Sequence, residues 1–209
     1  MNCVSYTGEQ SVAVREEIFF LLMHISCIHI FQYSNKIMKR PACTTSLFLK
    51  VNALVGRWPL FDRCMVFCAH VLLFCMLGVL LLQWSTEHVL AALALHFGVL
   101  FLVALSISYI LGWLCRCPRP IRELPHIKTL VQTIGTWKSF PSDHTISATL
   151  LAYAGWITFE GGVFGYGFML SAVLVAFSRV WVGVHYPRDI IGGVSVASLV
   201  IVFSYMLYS

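Results

Sequence analysis

Five apolar runs, each near the length of a bilayer crossing, dominate this sequence. A crossing takes roughly 20 mostly apolar residues in a helix. Met65–Gln83 is the clearest run, interrupted only by His70, and His88–Leu111 is the second. A third begins near His144 and carries Ile146–Ile157, a fourth is Val163–Phe177, and a fifth is Ile190–Tyr208. Short connections, Trp84–Glu87 and Phe159–Gly162, turn the first run into the second and the third into the fourth. The expected fold is all-α: a polytopic transmembrane helical bundle of five to six spans.

Composition agrees. Charged residues make up 11% of the 209 residues and hydrophobic ones 59%, where a soluble domain carries about 25% charged. The mean hydropathy is +0.82. All 14 Lys and Arg lie outside the long apolar runs. That placement fits spans joined by basic loops and speaks against a nucleic-acid-binding face. Of the eight cysteines, Cys64, Cys68 and Cys75 fall at or inside one apolar run and read as small hydrophobes. Cys115 and Cys117 form a C-x-C with no second pair, too few ligands for a metal. No metal and no cofactor is expected.

Residues 1–45 read as an N-terminal extension to a domain covering 46–209. Within the extension Ile18–Phe31 is apolar but short, with His24 and His29 inside it. It reads as a sixth span, a re-entrant or interfacial segment, or a poor signal sequence. Met38-Lys39-Arg40 resembles a bacterial start, which makes residues 1–37 a candidate over-extension. Leu47–Val55 reads as an interfacial helix.

Three polar stretches interrupt the apolar background. The first is Arg119-Pro120, with Arg116 before it and Arg122 after. The second is Ser139-Phe140-Pro141-Ser142-Asp143-His144. The third is Ser178-Arg179, then His185, then Asp189. Counting crossings puts all three at one membrane face. Arginines from separate loops can converge on one dianion, because the guanidinium fork matches phosphate oxygens. Ser142 offers a hydroxyl at a helix start, where free N–H groups also favour an anion. His185 and Asp189 are four apart, so on a helical turn they share a face. A carboxylate can hold one ring nitrogen and leave the other as a nucleophile. His144 is an independent imidazole suited to general acid–base work. Together these parts suffice for phosphoryl transfer without a metal, where positioning and charge do most of the work.

These residues resemble the type 2 phosphatidic acid phosphatase superfamily, whose motifs are K-x6-R-P, P-S-G-H and S-R-x5-H-x3-D. The third is complete in Ser178, Arg179, His185 and Asp189. The second is Pro141-Ser142-Asp143-His144, with Asp143 in place of glycine. The first keeps Arg119-Pro120 but has Gly112 at its lysine position. The wording around Ser-Asp-His, and around His185-Tyr186-Pro187, is similar to the bacitracin-resistance branch of undecaprenyl-diphosphatases. The resemblance implies His185 as nucleophile, Asp189 as its orienter and His144 as acid/base. It implies Arg119, Arg179 and Ser142, with Pro141 and Asp143 of the same motif, as the phosphate site. Arg116 is a candidate to replace the missing lysine charge. Asp143 is expected to cap its helix or to hold a neighbouring arginine. His70, His96 and His126 read as packing or loop residues. Trp58, Trp84, Trp137 and Trp181 read as interfacial belt aromatics. Gly192-Gly193 read as a close helix contact.

The implied activity is hydrolysis of undecaprenyl diphosphate to the monophosphate, through a phosphohistidine, at a bacterial inner membrane. The alternatives are another lipid phosphate (phosphatidate, phosphatidylglycerophosphate or lipid A) and an inactive lipid-phosphate-binding membrane protein. The partner expected is a lipid-linked phosphate; oligomeric state is not encoded legibly. Every Lys and Arg from Lys36 onward falls on the active-site side, so the positive-inside rule points that face to the cytoplasm. The resemblance points it to the periplasm or outside, because several of those cations serve phosphate.

Overall fold

The structure is a computed structural model that describes residues 42–133 and 137–208. The apolar segment 18–31 and the status of residues 1–37 lie outside the described residues. The chain divides into two compact units, and apart from the last residues of the C-terminal helix everything discussed below lies within Arg40–Val202.

All regular structure among the described residues is helical. In chain order the helices are α1 (Ala42–Asn52), α2 (Pro59–His70), α3 (Leu72–Thr86), α4 (Leu90–Cys115), α5 (Pro120–Glu123), α6 (Asp143–Thr158), α7 (Val163–Trp181) and α8 (Pro187–Tyr208). Prolines open α2, α5 and α8, where the missing N–H costs nothing and the fixed φ suits the helix. Helices α4, α7 and α8 are long and apolar enough to cross a membrane, and α2 with α3 makes a fourth if the pair counts as one bent span.

The second, fourth and fifth expected spans are therefore single helices. The first is not continuous: α2 and α3 meet at Val71 with a bend of 49°. No proline or glycine sits at that break. Instead Arg179 donates through Nη1 to the carbonyl of Ala69, at 3.0 Å. Ala69 lies in the last turn of α2, where carbonyls run out of intrahelical partners. A side chain inserted at the ladder is a recognised cause of a kink.

The third expected span, α6, is the central helix. Its 16 residues rise only about 24 Å, and nine of them are buried. It packs on α3, α4 and most extensively on α7. Outward faces of the surrounding helices are apolar: Leu95, Leu102 and Val163 are 71%, 70% and 86% exposed. Exposed leucine at that density suits hydrocarbon as the solvent, with the polar interior of α6 shielded from it.

Below the site, Val55, Met65, Cys68, Ala69, Trp181, Val182 and Val184 form one core cluster, and Phe48 packs on Tyr186 with ring centroids 5.2 Å apart. Asp62 ties this region together. Its Oδ1 accepts from Trp181 Nε1 at 2.8 Å, and its Oδ2 from the Gly56 N–H at 2.9 Å. Trp181 is thus a core residue, not a belt aromatic. So is Trp84, which is buried, donates to Thr158 Oγ1 at 2.9 Å and stacks on Phe97. Trp58 and Trp137 are exposed as a belt requires. Asp62→Ala leaves two donors unsatisfied and is expected to cost about 2–4 kcal/mol. Asp62→Asn, which keeps an acceptor, should lose clearly less; unfolding midpoints in one detergent check this.

Candidate active site

The three polar stretches meet at one end of the bundle. Left-handed Arg116 (φ 45°) ends α4 and turns the chain back. Arg119, at the start of α5, then donates through Nε to the Lys138 carbonyl at 3.1 Å, while Ser139 N–H donates to the Cys117 carbonyl at 2.7 Å. The first stretch is thereby clipped to the second. The second is clipped to the third by Ser142 N–H, which donates to the Asp189 carbonyl at 3.1 Å, and by Ser139 Oγ, which donates to Asp189 Oδ2 at 2.5 Å. Helix α8 closes on this loop through its two glycines. A Cβ on Gly192 would run into the Phe140 ring, and one on Gly193 would lie 2.9 Å from the Ser142 carbonyl and from Thr145 Cβ. Pro141, buried, follows a cis peptide bond.

His185 is 3% exposed and Asp189 is fully buried. The pair is not held on one helix: His185 precedes Pro187, the first residue of α8. Asp189 reaches back over the helix start, and its Oδ2 accepts from the Tyr186 N–H at 2.9 Å. This is a capping-box contact. The same oxygen lies 3.6 Å from His185 Nδ1, a charge contact longer than a hydrogen bond. Catalytic contacts of this kind commonly tighten in the Michaelis complex. Burial holds the His185 imidazole below its ordinary pKa, and the Asp189 carboxylate offsets part of that shift. The ring is neutral at neutral pH, with a lone pair to use.

Around it stand cations with unspent donors. Arg179 is buried; Nη1 is fixed by Ala69, while Nε has no protein partner among the described residues. Ser142 Oγ is buried and likewise unpartnered there, and makes no capping bond to its own helix. His144 occupies the first turn of α6, half-buried. His144, His185 and Arg179 are close enough to act on one another's charge, and so is His70, at the bend between α2 and α3. Asp143 takes neither expected role in full: its Oδ1 accepts from Lys138 Nζ at 2.5 Å and from Ser108 Oγ at 2.6 Å. It holds a lysine where an arginine was expected. Arg116 is exposed and lies over the Trp113 ring, 5.7 Å from its centre. With Trp113, Arg122 and Trp137 it lines a separate cavity of about 550 Å³. No group of three or more His, Cys, Asp or Glu among the described residues is arranged to hold a metal.

The PAP2 superfamily family model matches residues 88–209. The chain belongs to the PAP2 superfamily.

Relatives agree with that membership. The chain is 31% identical to undecaprenyl-diphosphatase BcrC of Bacillus subtilis (strain 168), over 74% of this chain and 78% of that protein. It is 29% identical to the bacitracin transport permease protein BcrC of Bacillus licheniformis, over 70% of this chain and 71% of that one. It is 31% identical to the putative undecaprenyl-diphosphatase YbjG of Escherichia coli (strain K12), over 71% and 74% respectively. The fold is shared with two solved structures. A transmembrane PAP2-type phosphatidylglycerolphosphate phosphatase from Bacillus subtilis superposes with a TM-score of 0.64 at 21% identity, covering 88% of this chain and 94% of that one. Aquifex aeolicus LpxE gives 0.59 at 23%, covering 79% and 94%. This PAP2 protein is an integral-membrane lipid phosphatase, a hydrolase.

Several residues at this PAP2 site escape a motif reading. Ser139 precedes the second motif, yet its hydroxyl bonds the Asp189 carboxylate. Arg188 sits inside the third motif at a position the motif leaves open. Its Nε is 3.5 Å from Asp189 Oδ1, and its guanidinium lies 5.5 Å from the Tyr186 ring centre. Lys138 and Ser108 carry no motif signal. The only sequence hint to Lys138 is that the second motif begins three residues later, at Pro141.

Proposed function

We propose that this enzyme hydrolyses undecaprenyl diphosphate to undecaprenyl phosphate and inorganic phosphate, through a phosphohistidine on His185. The observation that carries the reading is the neutral, buried imidazole of His185, backed by Asp189 and faced by the unspent donors of Arg179 and Ser142. Identity to undecaprenyl-diphosphatase BcrC over most of both chains supports the choice of lipid.

In the first step the free ring nitrogen of His185 attacks the terminal phosphorus. The P–O bond to the lipid phosphate breaks, and its electron pair leaves with that oxygen. His144 gives the leaving oxygen a proton. Asp189 stabilises the ring as it becomes cationic. Arg119, Arg179 and Ser142 hold the non-bridging oxygens, where charge stabilisation by preorganised donors is worth most. In the second step His144 takes a proton from water, whose oxygen attacks phosphorus. The P–N bond breaks, and phosphate and neutral His185 are released.

The active face belongs on the outer side of the bacterial plasma membrane. Arg119, Arg179 and Lys138 are committed to the site, so they drop out of the positive-inside count. Phosphate release by the purified protein from undecaprenyl diphosphate, phosphatidate, phosphatidylglycerophosphate and lipid A tests the reading. The diphosphate should be turned over at least about tenfold faster in kcat/KM than the others, a difference of about 1.4 kcal/mol. A faster rate on any of the other three overturns the assignment of the lipid and leaves the chemistry standing.

A further inference from the structure

Two places where this chain departs from the PAP2 motifs, Gly112 and Asp143, are occupied by one side chain. A Cβ on Gly112 would lie 2.7 Å from Cδ and Cε of Lys138 and 2.8 Å from Cγ. The methylene stem of Lys138 therefore rests directly on the glycine backbone of α4. Its ammonium is buried, donates to Ser108 Oγ at 2.9 Å and pairs with Asp143 Oδ1 at 2.5 Å. Ser108 closes the triangle by donating to the same carboxylate oxygen at 2.6 Å. Ser108 and Gly112 are four apart, so they present one face of α4 to the lysine. Tyr109 adds its ring, 5.5 Å from the ammonium.

The neighbours of these groups are the reacting parts. The Lys138 carbonyl receives Arg119 Nε. The next residue, Ser139, bonds Asp189. Asp143 is followed by His144. We propose that Lys138 is a positioning residue of the phosphate site, bringing from the second-motif loop the positive charge that position 112 lacks. The inference rests on the phosphoryl-transfer reading given above. The pair with Asp143 sets the first turn of α6, and with it His144. The same loop residue sets Arg119. Without the ammonium, the Asp143 carboxylate would face a phosphate as an unpaired like charge, which repels.

The test uses full-length protein and phosphate release from the lipid phosphate that wild type hydrolyses fastest. Wild type and His185→Ala are run first, so that the phosphohistidine reading stands or falls by itself. Lys138→Met keeps the stem over Gly112 and removes the charge. It is expected to lower kcat/KM by roughly 100-fold, the scale of losing one preorganised charge, with its unfolding midpoint near that of wild type. Lys138→Arg should retain more activity than Lys138→Met. A lysine that merely filled space would give the opposite order. Moving the lysine back, as Gly112→Lys with Lys138→Ala, should exceed Lys138→Ala alone by about tenfold. A loss under about tenfold for Lys138→Met overturns the inference, as does methionine outperforming arginine.

Discussion

His185→Ala is expected to leave no measurable phosphatase turnover, a fall of about 10⁴-fold or more in kcat, as for other deleted nucleophiles. Nothing else in the site can take its place. The imidazole is buried, and the other imidazole given a role in the chemistry, His144, sits in the first turn of α6. Brief mixing with radiolabelled substrate followed by alkaline quench should trap an acid-labile phosphoprotein in wild type and none in the variant. The pH profile follows from the same burial. In the proposed chemistry the nucleophile is the neutral ring, and burial holds its pKa below the ordinary imidazole value. On the acid side, activity should therefore persist below that value and fall as the pH drops through the lowered pKa. Asp189 acts in the opposite direction, raising the pKa of the ring. Asp189→Asn should move the acid limb of kcat/KM further down while lowering kcat. A limb that moves up, or an alanine variant that turns over at the wild-type rate, would remove His185 from its assigned role.

The second large effect is expected at Arg179. Lysine there keeps a positive charge but loses the planar fork. The fork does two things: one nitrogen is bound to the Ala69 carbonyl, and Nε stays available at the site. Arg179→Lys should lower kcat/KM by roughly 10²–10³-fold, the range for losing an oriented donor to a charged transition state. It should also lower the unfolding midpoint, since a buried carbonyl loses its partner. Steady-state kinetics and thermal unfolding on one detergent preparation check both. If only stability changes, Arg179 is a packing residue and the phosphate clamp rests on Arg119.

Much of this was legible in the sequence, for definite physical reasons. Helices α4, α7 and α8 announce themselves because hydrocarbon demands an apolar run of fixed length. His185 and Asp189 stand out because carboxylate and imidazole four apart have a mechanical use. Gly192-Gly193 reads as a close contact, and the Phe140 ring and the Ser142 carbonyl fill that place. Other features depend on what meets across the fold, which hydropathy does not carry. The break at Val71 is invisible in the run Met65–Gln83, because its partner, Arg179, is 110 residues away. Trp84 and Trp181 look like belt aromatics by position alone. Only their partners, Thr158 and Asp62, draw them inside. Lys138 is an unremarked loop lysine until α4 offers it a glycine to lie on.

The hydrogen bond from Arg179 to Ala69 places one foot of the proposed phosphate clamp on a span that contributes no motif residue. Changes in that span which straighten it or rotate the carbonyl away should therefore surface as weakened substrate binding. A catalytic screen confined to the three motifs would pass over them.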